Sequence, residues 1–456
     1  MSSSEPPDDG EEVPIALLPA PLLQSILRLS TKDGAEFLRL AAVCRAWRDV
    51  VFSGQSWPHV HTLRLCAPGG LGALQLAPNL ESLSVTALGG VGLGLELTLQ
   101  APPSLRRLEL GVTRLAPTVL LALCSPALEV LDLRGSRVDG RTLAEVLKRC
   151  SALRQLSCDR LSCDLSRLTG RSLTHLRLGG TCTGLDAVAL GAIAIGSPGL
   201  QVLEVDGSFL TCIPVAVLEL EHLHSLHVDS ANLRDESLIA EFDAARPAFP
   251  SLTMLSIPSC RSTGSGFRAL AAALSNPDAP PLKRLIASNL LDLTDEDGAT
   301  LLQAVRERGG AGGSCEARLA LDVSCCGRLG ARFFAECSKL HFLEFCASGL
   351  PLLTAEALSQ IAASGALSHT STLVLNDCEL LQLRRGGDSA SRVLKAAACA
   401  AGRSLEQLLL NDCALDDEAA RAIAGACPSL LTLSLVAVSN LSDAGMLSLA
   451  THCGAT

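Results

Sequence analysis

LEQLLLNDCALDDEAARAIAGACPSL, residues 405–430, holds one full cycle of the pattern on which most of the chain is built. Leu405, Leu408 and Leu410 occupy the first, fourth and sixth places of a phrase of the form L-x-x-L-x-L. A short strand turns those three places into a core and leaves the places between them facing out. Asn411-Asp412-Cys413 follows as a loop. Ala420, Ile423, Ala424 and Cys427 then fall at i, i+3, i+4 and i+7, which is one face of a helix. The next phrase begins at Leu430.

Working outward, the same phrase starts at Val60, Leu80, Leu105, Leu128, Leu153, Leu173, Leu200, Leu223, Leu252, Leu282, Arg318, Leu340 and Thr370. With Leu405 and Leu430 that makes fifteen, mostly 20 to 30 residues apart, with longer gaps after Leu282 and Thr370. A second helical stripe is clear at Leu143, Val146, Leu147 and Cys150. Three stretches rich in Gly, Pro, Ser or charge interrupt the array, at Asn276–Pro281, Arg308–Glu316 and Arg384–Ser391. They read as surface loops inserted between repeats. Fifteen parallel strands at about 4.8 Å per step predict an inner edge about 70 Å long, a surface for a protein rather than a small-molecule pocket.

Period and wording resemble leucine-rich repeats. The helix-ending cysteines of KRCSAL, AECSKL and GACPSL, with Asn376-Asp377-Cys378 and Asn411-Asp412-Cys413, resemble the cysteine-containing class. That resemblance implies a solenoid with parallel strands on its concave side and helices on its convex side.

Val13 to Trp57 is different in kind. It holds both tryptophans, Trp47 and Trp57, and two helical stripes. Leu18, Leu22 and Ile26 run at i, i+4, i+8 behind Pro19 and Pro21, where proline is tolerated at a helix start. Asp33 and Glu36 then open a second helix carrying Phe37, Leu40, Cys44 and Trp47. Leu18, Pro19, Leu22, Leu23, Ile26 and Leu27, followed by Val43, Cys44, Arg45, Trp47, Arg48, Val50 and Trp57, resemble the F-box. The resemblance covers about a tenth of the chain. It implies docking on a Skp-type linker protein, and through it on a cullin ligase core, by Leu18, Pro19, Leu22, Leu23, Ile26, Leu27, Val43, Cys44 and Trp47. The cysteine-containing repeat class is commonly found behind an F-box, so the two resemblances support each other.

Composition narrows the partners. The formal charge is −10, and the first twelve residues contribute five acids (Glu5, Asp8, Asp9, Glu11, Glu12) and no base, reading as a disordered tail. An acidic chain without a basic stripe speaks against nucleic acid or an anionic membrane as main partner. No apolar run reaches the length of a membrane span; Ala187–Ile195 comes nearest. Nineteen cysteines spread along the chain, behind an acidic rather than signal-like N-terminus, read as reduced, buried small hydrophobes. The expected residence is cytoplasmic and/or nuclear.

Motifs for other chemistry do not assemble. No Gly-Lys dipeptide and no His-Glu pair occur, so neither a Walker loop nor a zincin helix is present. Gly89–Gly94 lacks a dinucleotide fingerprint. His222, His224 and His227 on one strand do not converge as zinc ligands, and Cys158/Cys163 and Cys325/Cys326 lack paired C-x-x-C spacing. No catalytic residue, metal or cofactor is expected. On the concave face, places three, five and seven of the phrases bring out Glu109, Asp132, Asp159, Arg177, Glu204, Asp206, His227 and Asp229. Acid predominates, which suits a basic segment on a partner, or simply a solvated surface.

These observations predict an α/β chain with an acidic tail (1–12), a helical F-box-like domain (13–57) and a leucine-rich-repeat solenoid of about 15 repeats (58–456). The expected role is a non-catalytic adaptor that holds a target protein near a ubiquitin ligase. A repeat scaffold whose helical segment only caps the solenoid is the alternative. A ligand-sensing receptor would need a pocket with convergent polar groups, and an enzyme would need a residue that no motif supplies.

Overall fold

The computed structural model describes residues 60–65, 74, 77–86, 101–111, 116–162, 172–180, 182, 184–208, 210–233, 248–308, 318–381, 383–438 and 440–453. The chain forms two compact units, Met1–Cys163 and Asp164–Thr456. The F-box-like segment and the acidic tail lie outside the described residues.

In the first unit five strands stack in parallel in chain order: β1 (Thr62–Leu65), β2 (Ser82–Thr86), β3 (Arg107–Gly111), β4 (Val130–Asp139) and β5 (Gln155–Ser162). Helices α1 (Pro117–Leu123) and α2 (Gly140–Arg149) follow β3 and β4. Proline opens α1, where its missing N–H costs nothing. Asp139 caps α2, accepting from Thr142 N at 2.9 Å, and Lys148 and Arg149 stand at its negative end.

In the second unit ten strands do the same: β6 (His175–Leu178), β7 (Val202–Asp206), β8 (Ser225–Asp229), β10 (Met254–Ser256), β12 (Arg284–Ile286), β13 (Leu319–Asp322), β14 (Phe342–Cys346), β15 (Thr372–Val374), β16 (Gln407–Leu409) and β17 (Thr432–Ser434). Two-residue strands β9 (Asn232–Leu233) and β11 (Arg261–Ser262) pair separately. Nine helices intervene among the described residues: α3 (Ala187–Gly196), α4 (Val215–Leu218), α5 (Gly264–Leu274), α6 (Asp295–Glu307), α7 (Ala331–Cys337), α8 (Ala355–Ala363), α9 (Leu383–Ala401), α10 (Asp417–Ala426) and α11 (Asp443–Cys453).

Apart from β9 and β11, each strand lies on one of the fifteen phrases. Places one, four and six are buried wherever they are apolar up to the phrase at Leu282, from Val60, Leu63 and Leu65 to Leu282, Leu285 and Ala287. Each fully buried Leu or Val contributes roughly 1.5–3 kcal/mol, and repetition makes the core continuous.

The phrase then continues as a regular turn. Its eighth residue is left-handed in eight successive repeats of the second unit, at Ser230, Ser259, Asn289, Cys325, Gly349, Asp377, Asp412 and Ala437, with φ between 51° and 65°. A left-handed L-residue costs about 1–2 kcal/mol. The offset comes from the ladder, because the eighth N–H donates to the seventh carbonyl of the next repeat: Cys325 to Ser348 at 2.8 Å, Gly349 to Asn376 at 2.8 Å, Asp377 to Asn411 at 3.0 Å. A buried ninth residue follows in all of these but the last. Where it is cysteine, its thiol donates to the sixth carbonyl of the preceding repeat: Cys260 to Val228 O (3.2 Å), Cys326 to Ala287 O (3.0 Å), Cys378 to Ala347 O and Cys413 to Leu375 O (both 3.1 Å). Ser136 does the same in the first unit, reaching Leu110 O at 2.5 Å. The repeated cysteine thus fills a small apolar space and satisfies a carbonyl.

Three expectations are corrected. The phrase set at Leu340 belongs two residues later. Phe342, Phe345 and Ala347 are fully buried while Leu343 is 38% exposed, and Gly349 takes the left-handed eighth place only in that frame. Glycine takes this φ of 64° without strain, and a Cβ on Gly349 would press on Cys325 Sγ at 3.2 Å. Phenylalanine outcompetes leucine for the interior because it removes more apolar surface from water. Next, Arg384–Ser391 is not a loop but the first part of the 19-residue α9. Its downstream stripe, Ala390, Leu394, Ala397, Ala398 and Ala401, is buried, and that packing overrides two glycines near the helix start. Finally, Arg308, read as the edge of a surface loop, is only 2% exposed. Its guanidinium donates to Pro280 O (2.9 Å), Leu274 O (3.3 Å), Leu252 O (3.0 Å) and Phe249 O, tying three successive repeat ends together. Asn276–Pro281 is a loop as expected, with Asn276 anchored to Ala248 O at 3.1 Å.

Candidate partner-binding surfaces

The nine residues expected to meet a Skp-type linker, Leu18, Pro19, Leu22, Leu23, Ile26, Leu27, Val43, Cys44 and Trp47, lie outside the described residues. The candidates on the strand face are all placed, and each reaches that face because its phrase position points away from the core.

In the first unit Glu109 and Asp132 are neighbours in register at the fifth place. Asp132 is gripped by Arg134, whose Nη2 donates to Oδ2 at 2.6 Å and whose Nε lies 2.9 Å from the same oxygen and 3.1 Å from Oδ1. Arg107 stands 3.8 Å from Glu109. The hydrogen bond and charge of Asp132 raise the Arg134 pKa, and Asp159 and Glu109 add to the effect. Three acids therefore converge on one arginine, which makes this patch less acidic than the carboxylates alone suggest. Arg134 stands at the same outward seventh place as Asp159, but its hold on Asp132 and the nearby Asp159 and Glu109 depend on adjacent strands, which the sequence does not display.

In the second unit Arg177, Glu204 and His227 follow one another in register at the fifth place. Arg177 Nη1 lies 3.2 Å from Glu204 Oε2, and His227 Nδ1 lies 2.7 Å from Ser256 Oγ. Asp206 and Asp229 face each other across neighbouring strands at the seventh place. Each carboxylate leans on a serine: Asp206 accepts from Ser208 Oγ at 2.6 Å and Asp229 from Ser230 Oγ at 2.9 Å. Neither holds a cation among the described residues, so the pair keeps its negative charge toward solvent.

Further along, the face changes. Arg284 reaches over Ala320 to Glu344 at 2.6 Å, and the fifth place becomes Cys346, Val374 and Leu409. Charge is concentrated on the first strands of this unit and apolar surface on the later ones. Outside the sheet face, α3 carries no charge and leaves Val188 and Ile195 about three-quarters exposed. A depression of about 400 Å³ lined by Pro198, Gly199, Glu219, Leu220, Glu221 and His222 lies at the turns that precede β7 and β8. No helix among the described residues is long and apolar enough to cross a membrane. No group of three His, Cys, Asp or Glu side chains among them could hold a metal.

Residues 15–62 match the F-box-like family. No curated protein matches the chain. Among solved structures, the TLR13–ssRNA13 complex is similar with a TM-score of 0.52 at 16% identity, covering 87% of this chain and 59% of that one. An internalin (inlF) from Listeria monocytogenes aligns at TM-score 0.40 and 16% identity, over 76% of this chain and 78% of the other. The leucine-rich repeat-containing protein LegL7 from Legionella pneumophila aligns at 0.34 and 14%, over 71% and 98%. The chain carries an F-box-like match at residues 15–62 and, behind it, a repeat fold of parallel strands alternating with helices.

Proposed function

We propose that this chain is the substrate-recognition adaptor of a Skp–cullin–F-box type ubiquitin ligase, and a non-catalytic one. The observation that carries the reading is the F-box-like domain at residues 15–62 in front of a repeat array. Leu18, Pro19, Leu22, Leu23, Ile26, Leu27, Val43, Cys44 and Trp47 are the proposed contacts with the Skp-type linker. The strand face, with Glu109, Asp132, Arg177, Glu204, Asp206, His227 and Asp229, is the proposed seat of a target protein. The spaced cysteines support placing the repeats in the cysteine-containing class, and residence is proposed to be cytoplasmic and/or nuclear.

Such an adaptor does no side-chain chemistry. It raises the effective concentration of target lysines near the ligase, and tethering multiplies the rate by proximity alone. The uncompensated Asp206–Asp229 pair favours a target segment carrying Lys or Arg, since such charges gain both attraction and steering.

The test is co-purification of the full chain with a Skp-type linker protein, beside a Leu23→Asp, Ile26→Asp double variant shown by circular dichroism to keep the repeat fold. Binding by the parent and loss in the variant is the expected result. No binding by the parent chain would overturn the ligase reading and leave a repeat scaffold.

A further inference from the structure

The strands of the second unit present outward rows at their third, fifth and seventh places, and the rows change character along the array. On β14, β15 and β16 the fifth place carries Cys346, Val374 and Leu409, half-buried and in register, an apolar stripe one residue wide. Beside it the seventh place carries Ser348, Asn376 and Asn411. Their oxygens form a ladder: Ser348 Oγ accepts from Asn376 N at 3.2 Å, Asn376 Oδ1 from Asn411 N at 2.9 Å, and Asn411 Oδ1 from Val436 N at 2.8 Å. A backbone N–H can be met only by the amide oxygen, so the NH2 groups of Asn376 and Asn411 are turned away from the ladder. Neither NH2 has an acceptor among the described residues.

Toward the start of this unit the surplus is negative. Asp206 and Asp229 are in register at the seventh place of β7 and β8 and hold no cation among the described residues. Between the two ends charge is matched in place. Arg284 is bonded to Glu344 at 2.6 Å across Ala320, and Asp322 accepts from Ser324 N at 3.0 Å. Five strand steps separate β8 from β15, about 24 Å of arc at about 4.8 Å per step. A segment that gains from both ends must carry cations and aliphatic side chains that far apart, with main-chain carbonyls free to accept from the amides.

We propose that this face seats an extended, bipartite segment of the target protein: Lys or Arg side chains on Asp206 and Asp229, Leu, Val or Ile side chains on Val374 and Leu409, and main-chain carbonyls on the amides of Asn376 and Asn411. Such recognition rests on the strand face being the seat of a target, and adds which chemistry is seated there. An extended segment is required because a helix spends its carbonyls internally. About seven extended residues at about 3.3 Å each bridge the two ends. Neither end alone is selective. Exposed acids attract any cation through screening water, and a stripe one residue wide removes little apolar surface. Joined in one segment, each end raises the effective concentration of the other.

The experiment titrates the purified full chain into fluorescein-labelled peptides and follows anisotropy. One peptide joins a run of arginines to Leu-Val-Leu through about eight Gly/Ser residues, made in both orders, and two controls carry the arginines or Leu-Val-Leu alone. In one order the joined peptide should bind about tenfold or more tighter than either control. Asp206→Asn with Asp229→Asn should bring it to the level of the aliphatic control, and Val374→Thr with Leu409→Ser to that of the arginine control. Equal binding of the joined and arginine-only peptides by the parent chain would overturn the proposal, and that comparison depends on no variant. Binding left unchanged by the Asp206 and Asp229 substitutions, or no binding of the joined peptide in either order, would overturn it too. Co-purification of the linker is read on the same preparation. Linker bound with no peptide taken up overturns this inference and leaves the adaptor standing, whereas peptide bound without linker supports the inference and overturns the adaptor.

Discussion

Arg308→Met is the most informative single perturbation of the repeat array. Four carbonyls receive the Arg308 guanidinium. Leu274 O also accepts from Asn276 N at 2.8 Å and Phe249 O from Leu252 N at 3.4 Å, so these two keep a donor after the substitution. Pro280 O and Leu252 O have no second donor among the described residues. Each loses a bond to a charged group, worth about 1.5–3 kcal/mol, giving roughly 3–6 kcal/mol for two. Burial alone pushes the Arg308 pKa down to about 10, so methionine relieves a desolvation cost and the net loss falls near the bottom of that range, about 3 kcal/mol. With a urea slope of about 3 kcal/mol per molar, the unfolding midpoint drops by about 1 M. Urea unfolding followed by circular dichroism measures it, with Arg332→Ala as reference. That arginine is 70% exposed and 3.7 Å from an equally exposed Glu296, so its loss should stay within about 0.5 kcal/mol. Identical midpoints for Arg308→Met and Arg332→Ala would refute the staple.

Other consequences follow from the same physics. Phe342→Ala should cost about 3–5 kcal/mol while Leu343→Ala stays below about 1, and the reverse order in thermal melts would restore the frame set at Leu340. Asp295 accepts from Gly330 N (2.9 Å), Phe333 N (2.8 Å) and Arg332 N (3.1 Å), so one repeat caps the helix of the next; Asp295→Ala should cost about 1–2 kcal/mol, and an unchanged melt would dismiss the cap. Burial pushes the Cys260, Cys326 and Cys413 thiols up to about 12 and Cys378 to about 11, from an ordinary 9.0. Because folded values exceed unfolded ones, the native state binds more protons above pH 9; this stability is complete below pH 9 and disappears as pH rises through 11 to 12. Urea midpoints that stay level from pH 8 to pH 11 would contradict it.

The sequence by itself determined the repeating unit. Strand side chains alternate and helix side chains recur at 3.6 residues, so the phrase and the stripe of residues 405–430 specify strand, turn and helix without reference to neighbours. It also put the cysteines that fall on the apolar period, such as Cys150, Cys337 and Cys427, in the interior, but the reading of every cysteine as buried is corrected at Cys325, which sits on the outward left-handed place and is exposed, and at Cys346, which lies on the strand face. What depends on adjacent repeats was not legible. The frame at Phe342 was decided by which side chain buries more surface against β13 and β15, where Leu340 and Leu343 fit the leucine pattern as well as Phe342 and Phe345. The helix through Gly386-Gly387 was decided by packing of Ala390 to Ala401, which local propensity does not contain. Arg308 found its carbonyls 28 to 59 residues away, and Arg134 gathers acids from three strands. A one-dimensional array fixes each unit locally and leaves to tertiary structure only what happens between units, which is where the Arg308 staple and the Asp295 cap reside.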